Sequence, residues 1–396
     1  MSNVMEAVGL TEPISSLPVR WRSALRDTAL NMRRRYQRHL PQVLAAADDE
    51  SVVGIGTASG FSAVAKIAVN NGAIGGMAVS PDGSRLVVTN YGDNSVSIIH
   101  TGTYAVVNTV AGTGEPFAIA VGNAAHNCAY VSTASASYDA IVAVDLSSNV
   151  VVATHPVALS VSDLAVSPDG KYVYASRSGV GGADVAVLDT ATRQTDAINI
   201  AAAPGTTTGC LRISSDGQRL YVATHGPSGG ELIVIDTGTE RVIDTVEIGS
   251  AIRDVALSTD SGTAYVASCD PDFGAVVDII DARTHIVNGR LKTGEIDGFL
   301  TQLALSGDGE RAYLVGDEGV MVLCTLTQDV TGIITVGTRP SCVIESRGGS
   351  YLYVADYSGA VTVISMASTT ASPVHRTVGD EIVAEPDLPQ LESVLT

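Results

Sequence analysis

Aromatic side chains, cations and long apolar runs are all scarce in this chain of 396 residues. One Trp and four Phe leave little bulk for an aromatic core, so the interior must be built from smaller aliphatic side chains. Only 23 Lys and Arg stand against 42 Asp and Glu, a net charge of −19. Such a balance argues against nucleic acid as a general partner, because neutralising phosphates needs clustered cations. Mean hydropathy is positive, +0.25, yet no apolar run reaches the ~18 residues of a membrane-spanning helix. The first residues, MSNVMEAVGLTEPISSLP, show neither a basic start nor an apolar stretch, so a signal peptide is not expected. Cys128, Cys210, Cys269, Cys324 and Cys342 are odd in number and form no CxxC pair. That spacing offers neither a zinc site nor a disulfide framework, and it suits a reducing, cytoplasmic setting.

What the chain does have is repetition. LVVTN around Val87 recurs as AYVST at Tyr130, YVYAS at Tyr174, LYVAT at Tyr221, AYVAS at Tyr265, AYLVG at Tyr313 and LYVAD at Tyr353, at intervals of 40 to 48 residues. A period of about 45 residues with four strands per unit is that of a β-propeller blade. Residues 51–366 therefore read as an all-β, seven-bladed β-propeller, flanked by an extension over 1–50 and an acidic tail over 367–396.

One unit shows how the pattern works. GMAVS (Gly76–Ser80) reads as an inner strand, and SPDG (Ser80–Gly83) turns the chain with Pro, Asp and Gly in the places a tight turn favours. RLVVTN (Arg85–Asn90), SVSIIH (Ser95–His100) and AVVNTV (Ala105–Val110) supply the next three strands. The third strand of other units ends in Asp189, Asp236 or Asp281 before a turn, where Asp caps the chain through its own carboxylate. The seventh unit supplies three strands, so AVAKIAV (Ala63–Val69) is expected to return as its fourth and to remove the open edges.

The AVSPDG turn, the YVA-type strand and the VIDT-type strand together resemble the YVTN-repeat, surface-layer-like seven-bladed propellers of bacteria and archaea. The resemblance covers about residues 51–366 and implies the fold. It is also distantly similar to the propeller-type lactonases that open a sugar-phosphate lactone.

Function is less legible, because one propeller frame carries many activities. Three and four residues beyond each anchor the repeats diverge, at Asn90, Tyr91, Thr133, Arg177, His225, Cys269, Asp317, Asp356 and Tyr357. Variation at matched positions of a repeat marks either a binding ring or ordinary loop change. Arg177 and His225 would suit a carboxylate or phosphate. His225 and Cys269 occupy matched positions in adjacent units, but no third residue orients them as a nucleophile and base. Asp254, Asp270, Asp272, Glu295, Asp297, Asp317, Glu318 and Asp356 are expected to gather in upper loops, without the spacing of a calcium loop. No catalytic residue, metal ligand or cofactor is assigned.

The extension is more distinctive. Residues 19–39 read as an amphipathic helix whose apolar stripe is Trp21, Leu25, Ala29, Met32 and Tyr36. Arg22, Arg26, Arg33, Arg34 and Arg35 are its candidate contacts to a protein partner or an anionic membrane surface, with docking on the acidic body as the plainer alternative. The sequence thus leads to a non-enzymatic scaffold or ligand-binding propeller, acting through its upper ring and the Arg-rich helix. The alternatives are a lactonase-like hydrolase of a small anionic sugar lactone and a peripheral membrane protein.

Overall fold

The alternation of each Tyr-Val strand decides how the molecule packs. In a strand, successive side chains point to opposite faces. Tyr130, Tyr174, Tyr221, Tyr313 and Tyr353 each face the following unit, while Val131, Ala175, Val222, Leu314 and Val354 face the preceding one. Each sheet is therefore apolar on both sides and must be sandwiched between neighbours, which a ring of sheets provides.

The computed structural model describes residues 60–366, apart from the loop positions 124, 136–137, 158–160, 180–181, 201–204, 227–228, 271–273, 294–299 and 337–338. The Arg-rich stretch 19–39 and the tail 367–396 lie outside the described residues. Strand β1 (Phe61–Ala68) comes first. Blade 1 follows as β2 (Ile74–Val79), β3 (Arg85–Asn90), β4 (Ser95–His100) and β5 (Ala105–Ala111). Blade 2 is β6 (Glu115–Val121), β7 (Cys128–Ala134), β8 (Asp139–Asp145) and β9 (Val150–Val157). Blade 3 is β10 (Val161–Val166), β11 (Tyr172–Gly179), β12 (Gly182–Asp189) and β13 (Thr195–Ile200). Blade 4 is β14 (Thr207–Ile213), β15 (Arg219–Gly226), β16 (Gly229–Asp236) and β17 (Arg241–Glu247). Blade 5 is β18 (Ala251–Leu257), β19 (Thr263–Asp270), β20 (Gly274–Asp281) and β21 (Val287–Lys292). Blade 6 is β22 (Gln302–Leu305), β23 (Arg311–Gly316), β24 (Gly319–Cys324) and β25 (Val330–Ile334). Blade 7 is β26 (Pro340–Glu345), β27 (Tyr351–Asp356) and β28 (Ala360–Met366), with β1 as its outermost strand.

All seven sheets are four-stranded antiparallel meanders, and seven apolar clusters fill the seven blade-to-blade interfaces. β1 runs antiparallel to β28 from Phe61↔Met366 to Ala68↔Ala360, so the first strand of the chain closes the last blade. Val69 lies beyond that ladder, where its N–H donates to Gly359 O.

The lower end of the ring is held by its turns. In five blades a Ser at the first turn donates to the Asp two residues on, at 2.5–2.7 Å, and accepts the N–H of the residue five on at 2.9 Å. At the second turn, the carboxylates of Asp145, Asp189, Asp236 and Asp281 accept N–H bonds from residues two or three further on. These aspartates are caps in the geometry that turn chemistry requires.

Candidate functional site

The upper end of the ring carries the divergent positions, three or four residues past each anchor. Asn90, Thr133, Arg177 and Asp356 sit three residues past the anchor. Tyr91, His225, Cys269, Asp317 and Tyr357 sit four past it: His225 and Cys269 are still within β15 and β19, while Tyr91, Asp317 and Tyr357 lie just beyond β3, β23 and β27.

Within the first set, each side chain is engaged close to home. Arg177 is paired across the hairpin with Asp184 through two bonds, Nε to Oδ1 at 2.7 Å and Nη2 to Oδ2 at 2.8 Å. This fork is the strong, oriented form of the pair. Asn90 is fully buried and donates from Nδ2 to Ser95 Oγ and Ser97 Oγ, both at 2.8 Å. Thr133 is buried beside Ala140 O. Asp356 is buried, and its Oδ1 accepts from Ser358 N, Ser358 Oγ and Ala360 N. Two acceptors, Asn90 Oδ1 and Asp356 Oδ2, are enclosed with no hydrogen-bond partner among the described residues. They occupy matched positions in neighbouring blades.

In the second set, Tyr91 opens a short 3-10 turn, Tyr91–Asp93. His225 is exposed at the top of β15 and Cys269 is half-buried near the top of β19. No hydrogen bond joins His225 to Cys269 among the described residues. Asp317 meets Arg339 at 3.1 Å, and Tyr357 is buried. Burial pushes the Tyr357 hydroxyl up to about 12, so it stays protonated.

The expected acidic cluster of upper loops needs correction. Asp254 is on inner strand β18, 3% exposed, and belongs to an ion triad that spans three blades. Arg212 on β14 reaches Asp163 of blade 3 from Nη1 at 2.6 Å and Asp254 of blade 5 from Nη2 at 2.6 Å. Each carboxylate also ties two blades through backbone N–H groups. Asp163 accepts from Leu164 N and Leu211 N, and Asp254 accepts from Val255 N and Leu303 N. Gln302 repeats the device, accepting Val343 N of blade 7 at 2.7 Å. A β-bulge just before Asp163 and Asp254 re-aims these side chains along the channel side. Burial raises the Asp254 carboxyl while Arg212 opposes the shift, and the two carboxylates hold the guanidinium above its ordinary value. Among the described residues no group of three His, Cys, Asp or Glu is arranged to hold a metal. Asp272, Glu295 and Asp297 lie outside the described residues.

Arg212 and Asp163 were missed by sequence reasoning, although the repeat does mark Arg212. Alignment on the turn residue puts Arg212 where other blades carry Ala78, Ala120, Ala165, Ala256 and Ala304. A single cation among alanines at an inner-strand position is a legible break in the symmetry.

Comparison with known proteins then bears on the family. No family model matches the sequence. A solved structure described as hydrazine synthase of Kuenenia stuttgartiensis aligns with TM-score 0.68 over 76% of this chain and 97% of that chain, at 24% identity. That likeness concerns the fold alone. The seven-bladed beta-propeller protein Rv1057 of Mycobacterium tuberculosis is 52% identical over 360 residues, spanning 84% of this chain and 91% of the relative. At that identity and coverage the chain belongs to the family of seven-bladed β-propeller proteins that includes Rv1057.

Proposed function

We propose that this protein is a non-enzymatic propeller that binds a partner or ligand through its upper ring. The observation that carries the reading is the commitment of Arg177 to Asp184. A lactonase-like site would need that guanidinium free to hold an anionic substrate, and here it is neutralised within its own hairpin. Asp317 is similarly paired with Arg339. What the ring offers outward is a set of paired polar groups and exposed His225, a surface suited to recognition. The enclosed acceptors Asn90 Oδ1 and Asp356 Oδ2 mark blades 7 and 1 as the place where a donor from water or ligand would be answered.

The likeness to YVTN-repeat propellers agrees with this reading. So does the state of the five cysteines, all of them free, which fits a reducing, cytoplasmic compartment. No helix of the described residues is long and apolar enough to cross a membrane.

The test is a lactone-hydrolysis assay on the purified full chain, beside a binding assay with any partner that it retains. The expected outcome is no turnover above buffer, and partner retention that weakens in Tyr91→Ala and His225→Ala. Turnover that disappears in both Arg177→Ala and His225→Ala would replace the scaffold with a hydrolase.

A further inference from the structure

We propose that the Arg-rich segment 19–39 of this chain docks on the outer rim of blade 6, covering Leu326, Val330 and Ile333, with its arginines against Asp308, Glu310 and Asp329. The proposal does not depend on the scaffold reading. It begins from an uncovered apolar rim. Leu326 is 79% exposed, Val330 43% and Ile333 37%, along one turn and the outer strand β25. Leu326 is the most exposed of the large apolar side chains among the described residues.

Charge singles out the same blade. Between residues 302 and 334 five acids, Asp308, Glu310, Asp317, Glu318 and Asp329, face one cation, Arg311. The Arg311 guanidinium lies over the Phe61 ring at 6.0 Å, and Asp317 is bound to Arg339 at the upper end. Asp308 is held ionised by Ser306 Oγ and Glu310 N, which keep its carboxyl below the ordinary range. The segment supplies the complement, with seven Arg, one Asp and an apolar stripe on residues 19–39.

The exit of the chain places the two together. Phe61 begins β1 and packs against the apolar cluster between blades 6 and 7. It pairs with Met366, whose N–H bonds Ser350 O of a lower turn, so the preceding chain leaves at the lower end of that boundary. Residues 40–60 join the segment to this point. At about 3.3 Å per residue their contour is long enough to lay the segment along the neighbouring blade. Blades 1 and 2 also expose apolar edges, at Val106, Val107, Val150, Val151 and Val152. Those strands, β5 and β9, lie one and two blades past blade 7, farther from the boundary of blades 6 and 7 where the chain leaves.

Trp21 is the only Trp in the chain, so the full-length protein carries its own reporter. Acrylamide quenching of Trp21 should be several-fold weaker than for free indole, and molar salt should restore part of it. Leu326→Glu, and separately Glu310→Lys with Asp329→Lys, should expose the indole, with circular dichroism showing the ring still folded. Arg33→Glu, Arg34→Glu and Arg35→Glu added to the Lys pair should restore protection. Cys324 ends β24, two residues before Leu326, so its alkylation, read by peptide mapping, should accelerate in the same variants. Val151→Glu on blade 2 should change neither signal. Wild-type quenching equal to free indole would overturn the proposal. Equal effects of Val151→Glu would do the same, as would protection that vanishes on dilution (a second copy's segment) or that appears only with anionic vesicles.

Discussion

Arg212 links three blades through their inner strands. Its planar fork spans two carboxylates on two different blades, one of them 4% exposed. Removing the guanidinium leaves two anions facing each other with their counter-charge gone. Arg212→Ala is therefore expected to cost about 3 kcal/mol, the range for breaking a buried pair. Thermal melts followed by circular dichroism would read this directly. Arg212→Lys should recover little, because an ammonium cannot serve both carboxylates in the same geometry. Adding Asp254→Asn to Arg212→Ala should restore part of the loss. A cost below about 1 kcal/mol would place the triad with exposed surface pairs and remove its role as a staple.

The turn aspartates make a separate prediction about acid. Hydrogen bonds from Ser80 and Ser84 lower Asp82 from 3.8 to about 2, and those from Ser167 and Lys171 do the same for Asp169. A carboxyl whose folded pKa is depressed contributes stability that is fully present above its unfolded value and is lost as pH falls through the folded one. The melting temperature should therefore fall as pH drops from about 4 towards 2. Asp254 acts in the opposite sense, since its raised pKa means that the folded chain holds that proton more tightly. Asp169→Asn should flatten the acid slope while leaving the melt near neutral pH less changed. An unaltered slope would show that the turn carboxylates do not govern acid stability.

At the scale of the element, closure by β1 is the point of greatest consequence. A chain lacking residues 1–70 would present β28 as a bare edge, and open edges pair with other chains. Such a chain should aggregate, whereas removal of 1–48 should leave a monomeric ring. Size-exclusion chromatography with light scattering separates the two outcomes, and a monomeric 71–396 chain with an unchanged melt would refute the closure argument. The end of the same ladder depends on a glycine. Gly359 has φ +92°, and a Cβ there would collide with the backbone and side chain of Asn70 as β1 leaves the sheet. Gly359→Ala should cost about 2 kcal/mol from strain and collision together, measurable by denaturant melts.

Some elements were open to sequence reading and others were not. Strands Arg85–Asn90, Ser95–His100 and Tyr351–Asp356 follow from the repeat period and the turn residues that bound them. The inner strands begin earlier than their pattern suggests, at Ile74 and Pro340, because the bulge before Gly76 and Cys342 breaks the alternation. Arg177 reads as a free anion-binding group until its partner is seen. Asp184 lies seven residues away across a hairpin whose register the sequence does not state.

For the whole molecule, the seven interface clusters imply one cooperative unit, since every blade buries apolar side chains against both neighbours. Tyr313, fully buried between blades 6 and 7, tests this. Tyr313→Ala should cost about 3 kcal/mol or more, and it should move the single unfolding transition of the entire ring. Two separated transitions in urea, seen by circular dichroism, would show that the blades unfold independently.

By itself, the sequence determined the number of blades, the order of strands within them and the turn chemistry at the lower end. Each of these depends on residues within one period of about 45, and local alternation and turn propensity are written into such stretches. Tertiary structure alone decided which polar groups are available. Arg212 meets its carboxylates 42 and 49 residues away, on either side of it in the chain, and Asp317 meets its cation in the connection to the next blade. Those pairings arise only when the ring brings successive blades side by side, and a linear reading of one repeat does not contain that geometry.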